Sequence, residues 1–313
     1  MKKNNLKYIA FIFIYIPLMS CNKDVKDFTY INFEFQFSET QERLNNDGEP
    51  SIIPLGNAAI TPVIHGMGVN YIELSHDEFT PYKEGQIVYK GHETMEGGSL
   101  SIDFDSCVVK GAGDPFYKFN VNKLAPGTYN YVRVSVAYQN YDIQFNALNI
   151  PVVGDLLNQT GTIASFIGSR TYIRNLVVKN LSTDIYADKE QGFWAFETGF
   201  TSPYDSYNAI YTGQAPEGAT TVVNPISATS PIPPGSCVVT GKFTQPLVIT
   251  GAESDNSNQQ DLYISLSFSI SQSFEWVDLN ANGEWDIDVS NPDETELVAD
   301  MGVRGLIPAW EWR

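Results

Sequence analysis

Leu262-Tyr263-Ile264-Ser265-Leu266-Ser267-Phe268-Ser269-Ile270 decides the fold. Apolar residues take every second position, and tyrosine or serine takes the rest. Successive strand side chains point to opposite faces, so this pattern turns one face to a core and the other to water. A helix would scatter the same apolar residues around its circumference. The pattern recurs at Ile31, Phe33, Phe35 and Phe37, set between Tyr30, Asn32, Glu34 and Gln36, and again at Val132, Val134, Val136 and Tyr138. Weaker strand signals fall at 69–75, 86–90, 101–109, 116–121, 171–178, 193–198, 219–223 and 237–249. No stretch carries a sustained 3.6-residue stripe with caps. Asn46-Asp47-Gly48, Gly97-Gly98, Ala125-Pro126-Gly127 and Pro233-Pro234-Gly235 punctuate the strands as turns. The sequence predicts an all-β protein, an antiparallel β-sandwich over residues 29–313, built as one large complex unit or as two sandwiches.

Two stretches interrupt this regularity. Residues 38–68, with Pro50, Pro54 and Pro62, read as a long loop between strands. Residues 203–234 hold six of the 17 prolines and read as a second long loop, where a sub-boundary would fall.

The amino terminus carries a different signal. Lys2, Lys3 and Lys7 precede an apolar run from Tyr8 to Met19, and Leu18-Met19-Ser20-Cys21 follows. Twelve residues at 1.5 Å each reach about 18 Å, short of the roughly 30 Å hydrocarbon core. The segment therefore reads as a signal peptide over residues 1–20. With cysteine at the cut it resembles the lipobox of bacterial lipoproteins. That resemblance implies lipidation of Cys21, a tether over 21–28, and a folded domain anchored to the outer membrane. Which face of that membrane is left open by Asn22-Lys23-Asp24-Val25-Lys26-Asp27. The anchored chain would need more than one acyl group to be held firmly.

Charge narrows the partners. The chain has 19 Lys+Arg against 37 Asp+Glu, a formal net charge of −18; removal of residues 1–20 takes three lysines and no acid, leaving −21. This argues against nucleic acid, whose binding requires basic groups to displace counterions. Solubility accounts for the acidity, and divalent-cation binding is the sharper reading. After lipidation of Cys21 only Cys107 and Cys237 remain, in the matching strings Ser106-Cys107-Val108-Val109 and Ser236-Cys237-Val238-Val239. A disulfide between them, permitted outside the cytoplasm, and a pair of buried free thiols are both open.

Asp278-Leu279-Asn280-Ala281-Asn282-Gly283-Glu284-Trp285-Asp286 carries the chemistry. Oxygen-bearing side chains fall at relative positions 1, 3, 5 and 9, with glycine at 6 and the backbone carbonyl of Glu284 at 7. Calcium takes six to eight oxygen ligands, and this spacing wraps a loop around such an ion. The metal ligands expected are Asp278, Asn280, Asn282, Glu284 and Asp286, with a structural Ca2+ as cofactor. Val289 stands where an EF-hand has its bidentate glutamate, so Asp288, Asp293, Glu294 or Glu296 would complete the shell. The loop resembles the DxNxNGxxD calcium loops of extracellular bacterial β-proteins. Its competitor is a hairpin with a type I′ turn at Asn282-Gly283, which explains two residues and leaves Asp278, Asn280 and Asp286 without a role.

Catalytic patterns are weak. GxSxG, a phosphate-binding glycine loop and a Cys/His nucleophile pair are absent from the sequence. Asp103 and Asp105 share one strand face and are the acid pair a hydrolase reading would use. Tyr204, Tyr207, Tyr211, Trp310 and Trp312 are candidates for stacking on sugars, with core and edge packing as the alternative. The whole chain is similar to uncharacterised secreted lipoproteins of Gram-negative bacteria, a resemblance that implies location and a β-rich build but no activity. The expectation is a non-catalytic, lipid-anchored surface binding or accessory protein, with a glycan or protein partner. Carbohydrate binding is the first alternative and extracellular hydrolysis the second.

Overall fold

The computed structural model describes residues 29–44, 50–81, 83–201, 206–215, 237–253 and 260–313. Cys21, the signal and tether segments, Tyr204 and the strand signal at 219–223 lie outside the described residues. In chain order the strands are β1 (Tyr30–Ser38), β2 (Asn57–Ile60), β3 (Val63–Ser75), β4 (Gln86–Lys90), β5 (Glu93–Thr94), β6 (Ser101–Asp103), β7 (Val109–Lys110) and β8 (Pro115–Asn120). The long β9 (Gly127–Ile150) is followed by β10 (Gly154–Phe166), β11 (Thr171–Val177), β12 (Ser182–Lys189), β13 (Phe193–Thr201) and β14 (Ser206–Gln214). The last are β15 (Val238–Ile249), β16 (Leu262–Ser269), β17 (Phe274–Val277), β18 (Asp286–Asp288), β19 (Val298–Asp300) and β20 (Leu306–Trp312). Among the described residues there is no α-helix, and the fold is all-β and sandwich-like, with one curled half-barrel sheet.

A four-stranded sheet, ordered β20-β16-β1-β8, faces a nine-stranded sheet whose main path is β14-β13-β10-β9-β3-β4, with β15, β18 and β7 attached. The stripes read from sequence meet between them. Ile31, Phe33 and Phe35 from β1 and Leu262, Ile264, Leu266 and Phe268 from β16 are fully buried against Leu74, Val132, Val134, Val136 and Val239. Each such side chain contributes roughly 1.5–3 kcal/mol by leaving water.

Most pairings are antiparallel, but β1 and β16 run parallel, in register from Ile31 opposite Leu262 to Ser38 opposite Ser269. The register lays one apolar stripe beside the other, so two segments far apart in sequence make one continuous core face.

Several expectations change. The 38–68 loop contains β2 and the start of β3, because Asn57–Ile60 finds a partner in β17 and Val63 pairs with Asp142. The 203–234 stretch begins with β14, which pairs along its length with β13. The 101–109 signal is broken by a 3-10 turn at Phe104–Ser106.

β9 is 24 residues long and serves two cores. Its first half pairs with β15 and β3 over the main core. Its second half carries Tyr141, Ile143 and Phe145 into another cluster with Phe196, Phe274, Trp276, Trp285 and Met301. Buried ion pairs, Arg43 with Glu275 and Arg304 with Asp300, fix β17 and β19 beside it. That second cluster forms the floor of the site.

Candidate functional site

The far half of β9 is flanked on both sides. Ala147 stands opposite Leu156 of β10 and opposite Ile287 of β18, which runs parallel to β9. Strand alternation then sorts Trp285-Asp286-Ile287-Asp288-Val289 into two sets. Trp285, Ile287 and Val289 join Phe145 and Ala147 on one face, where they line a cleft of about 650 Å³. Asp286 and Asp288 point to the other face, where Asn146 and Asn149 donate to their carboxylates at 2.8 and 2.6 Å.

The opposite wall comes from β10, β13 and β14, which supply Leu156, Ile163, Trp194, Phe196, Tyr207 and Tyr211. Two glycines make room for its rings. A Cβ on Gly161 would lie 2.2 Å from the Phe196 ring, and one on Gly213 would lie 2.3 Å from Trp194. Gly213 is directly opposite Trp194 in the ladder, so the indole lies flat across it. The residues from Thr295 to Val298, with Met301, close the remaining side.

Several polar groups around the cleft are already engaged. The Tyr207 and Tyr211 hydroxyls are 2.8 Å apart, and both residues are exposed at the mouth. Gln214 Nε2 donates to the Gln191 carbonyl at 2.6 Å, and Gln159 Nε2 to that of Leu157 at 2.7 Å. Among the described residues Glu296 is the only charged side chain in the lining. Its carboxylate accepts the backbone N–H groups of Leu279 and Asp286, each at 2.8 Å. Burial pushes this carboxyl above its ordinary range; those two bonds oppose the shift, and the charges of Asp286 and Asp278 reinforce it.

The 278–286 loop lies on the far side of β18. Asp278 accepts from the N–H groups of Asn282 and Gly283 at 3.2 and 2.9 Å. Asn280 Nδ2 and Asn282 Nδ2 lie 2.6 and 2.9 Å from Asp286 Oδ2. Side chains from relative positions 3, 5 and 9 therefore meet at one point. Glu284 is turned away, accepting from Asn146 Nδ2 at 2.6 Å. Glu296 folds back on the loop, as the acidic sequence after it suggested, but onto backbone N–H groups.

The hairpin alternative does not hold. β17 pairs with β19 and β2, while β18 pairs with β9, so the loop's flanks are not each other's partners. Positive φ falls at Ala281 and Gly283, 60° and 76°, and not at Asn282, as a type I′ turn would need. Among the described residues no three Asp, Glu, His or Cys side chains converge as a metal site. The loop's donor set is instead two carboxylates, Asp278 and Asp286, with the amides of Asn280 and Asn282.

Other candidates are dispersed. Trp310 and Trp312 sit on β20, at the edge of the four-stranded sheet, packed against the main core. Trp310 Nε1 donates to the Gln245 carbonyl at 2.9 Å. Tyr207 and Tyr211 are on β14, at the edge of the other sheet, so these residues do not form one platform. Cys107 and Cys237 are free thiols, half-buried and buried, and are not joined as a disulfide. Asp103 and Asp105 both bind Arg174 Nη1, at 2.8 and 3.0 Å, and are held as ion-pair partners.

The cleft itself was invisible in sequence apart from the Trp285–Val289 alternation. Of its wall strands only β13 was signalled, at 193–198; β10 carried no strand signal, and Tyr207 and Tyr211 of β14 read as sugar-stacking candidates in a long loop. No family model, no curated protein and no solved structure matches the chain, so its cleft and loop must speak through their own geometry.

Proposed function

We propose that the protein is an exported, non-catalytic binding protein, anchored through a lipid on Cys21 to the outer membrane, with the β9–β18 cleft as its ligand site. The 650 Å³ cleft carries this reading, since concave apolar sites of about 300–1,000 Å³ with few polar groups are the usual receptacles for small molecules. Binding rather than catalysis is supported by Glu296, the carboxylate in the lining, whose two oxygens are committed to backbone N–H groups.

A structural calcium ion in the 278–286 loop belongs to the same reading. Asp286 Oδ2 is the meeting point of the Asn280 and Asn282 amides, whose oxygens accept the Asn282 and Glu284 N–H groups at 3.0 and 2.7 Å, so an ion there would draw those oxygens away from the backbone. Asp278 would add its carboxylate and Glu284 its carbonyl. Oxygen donors in this number suit calcium better than magnesium. The ion would hold the outer side of β18, whose inner side is the cleft wall.

The test is a small-molecule thermal-shift screen of the mature chain, carrying Cys21→Ser to keep lipid out of the assay, beside the variant Ala147→Phe. Ala147 lies between Leu156 and Ile287 in the cleft floor, so a phenyl ring there projects into the site and obstructs it. Compounds that stabilise the parent and not the obstructed variant support the reading. A screen whose hits survive the substitution overturns it.

A further inference from the structure

We infer that the ligand of the β9–β18 cleft is an uncharged, predominantly apolar small molecule; this rests on the cleft being the binding site.

Three observations carry the inference. The first is the charge of the lining. Among the described residues no lysine, arginine or histidine lines the cleft. An anion entering it would lose its hydration without gaining a counter-charge, a cost of several kcal/mol. The chain's net charge of −18 makes the surroundings still less hospitable to anions.

The second is the commitment of Glu296. A cationic ligand would need a free carboxylate to offset its desolvation, and aromatic walls alone recover only part of that cost. Both Glu296 oxygens accept backbone N–H groups of the adjoining loop, so the carboxylate is bound outward, away from a ligand.

The third is that the neutral polar groups of the lining are few and partly engaged. The Tyr207 and Tyr211 hydroxyls bond each other, and the Gln159 and Gln214 amides donate to carbonyls of their own chain. A sugar, with hydroxyls all round its ring, would leave most of them unpaired against Phe145, Leu156 and Ile163. Each unmet hydroxyl costs about 1–3 kcal/mol. An apolar ligand suffers none of these losses, and it covers walls that are now open to water. Leu297 is 69% exposed and Val289 47%, though both line the cleft. Covering such surface contributes roughly 25 cal/mol per Å².

The experiment uses probes of one shape and different charge on the mature Cys21→Ser chain. N-phenyl-1-naphthylamine is the neutral probe, its 8-sulfonate the anionic one, and a trimethylammonium derivative the cationic one; maltoheptaose represents glycans. Fluorescence titration is expected to show the neutral probe binding at least about tenfold more tightly than either charged form. Ala147→Phe should lose that binding, and circular dichroism should show the variant folded. If Ala147→Phe does not fold, the bulky ring of Thr198→Trp, at another lining position, serves the same purpose.

Tighter binding of a charged probe, or of maltoheptaose, overturns the ligand class while leaving a binding protein in place. No binding of any probe, with no hits in the thermal-shift screen, overturns both readings. A neutral probe that enters only after residues 218–234 are replaced by a short Gly-Ser linker would show that the chain occupies its own cleft, and overturns the inference.

Discussion

Trp285 and Glu296 are joined by a 3.0 Å hydrogen bond from the indole N–H to the backbone carbonyl, and this bond ties the cleft to the acidic loop. The ring of Trp285 packs among Phe145, Phe196 and Phe274 in the second core. The Glu296 side chain meanwhile grips both ends of the loop, at Leu279 and Asp286. One residue thus contacts the cleft through its backbone and the loop through its carboxylate.

Replacing that carboxylate tests the link. In Glu296→Gln one oxygen becomes an NH2 group, which faces an N–H donor and can accept nothing from it. The orphaned donor should cost about 1–3 kcal/mol of stability. Denaturant melts are expected to show this loss, and the neutral probe should bind more weakly because the backbone carbonyl that Trp285 donates to is held less firmly. An unchanged melt would mean that the loop is held from elsewhere.

How much of this was legible in sequence depends on the period of the signal. Strands β1 and β16 were readable because strict alternation at Ile31–Phe37 and Leu262–Ile270 has no competing explanation. Their parallel pairing was not, since register between distant segments is settled by a whole-molecule fit. β2 was lost in a proline-containing stretch: Asn57-Ala58-Ala59-Ile60 has little β-propensity and becomes a strand because β17 offers a ladder. The acidic loop was legible through its spacing, and Glu296 was among the acids expected to fold back on it, whereas its partner Asn146 was not legible. Phe196 and Trp194 read as core because nothing local reveals that Gly161 and Gly213 give their rings room at a cleft.

Asp261 contributes to the acid side of the stability curve at the strand edge. It accepts from the Tyr30 N–H at 2.9 Å, from Lys118 Nζ at 2.9 Å and from Asn32 Nδ2 at 3.3 Å. Burial raises the cost of its charge, but the Lys118, Tyr30 and Asn32 bonds outweigh it and hold the carboxyl below its ordinary 3.8. A depressed carboxyl contributes its stability fully above the unfolded value and loses it as pH falls through the folded one. Asp261→Asn should therefore cost about 1 kcal/mol at neutral pH, allowing for solvent screening of the half-buried pair. The deficit should shrink as the pH is lowered below 3.8. A deficit independent of pH would assign the effect to packing instead.

The thiols give a chemical check on the core. Burial pushes the Cys107 thiol up to about 12 and that of Cys237 upward as well, so neither is ionised at neutral pH. Thiolate is the reactive form. Both cysteines should resist alkylation by iodoacetamide in the native protein and react fully in denaturant. Reductant should leave the melting temperature unchanged. Mass spectrometry of protein alkylated in denaturant without reductant should find both sites modified; protection of both until reduction would reveal a disulfide.

Calcium removal makes the loop reading quantitative, with different magnitudes in two buffers. With calcium at a hundred times its dissociation constant, a native-state site adds about 2.7 kcal/mol. Chelator should remove this, lowering the melting temperature of the parent chain. Asp278→Asn keeps an acceptor for the Gly283 N–H, now made at 2.9 Å, and deletes one negative charge. In calcium the variant should be less stable than the parent, because a ligand charge is lost. In chelator the deficit should be smaller than in calcium, because relief of one of the two charges bearing on Glu296 offsets part of the lost acceptor for the Asn282 N–H. Magnesium should substitute poorly, since a site this rich in protein oxygens does not offer the compact octahedron magnesium demands. Calorimetric scans of both proteins in calcium, magnesium and chelator decide it: parallel curves in all three buffers would reduce the loop to a hydrogen-bonded turn.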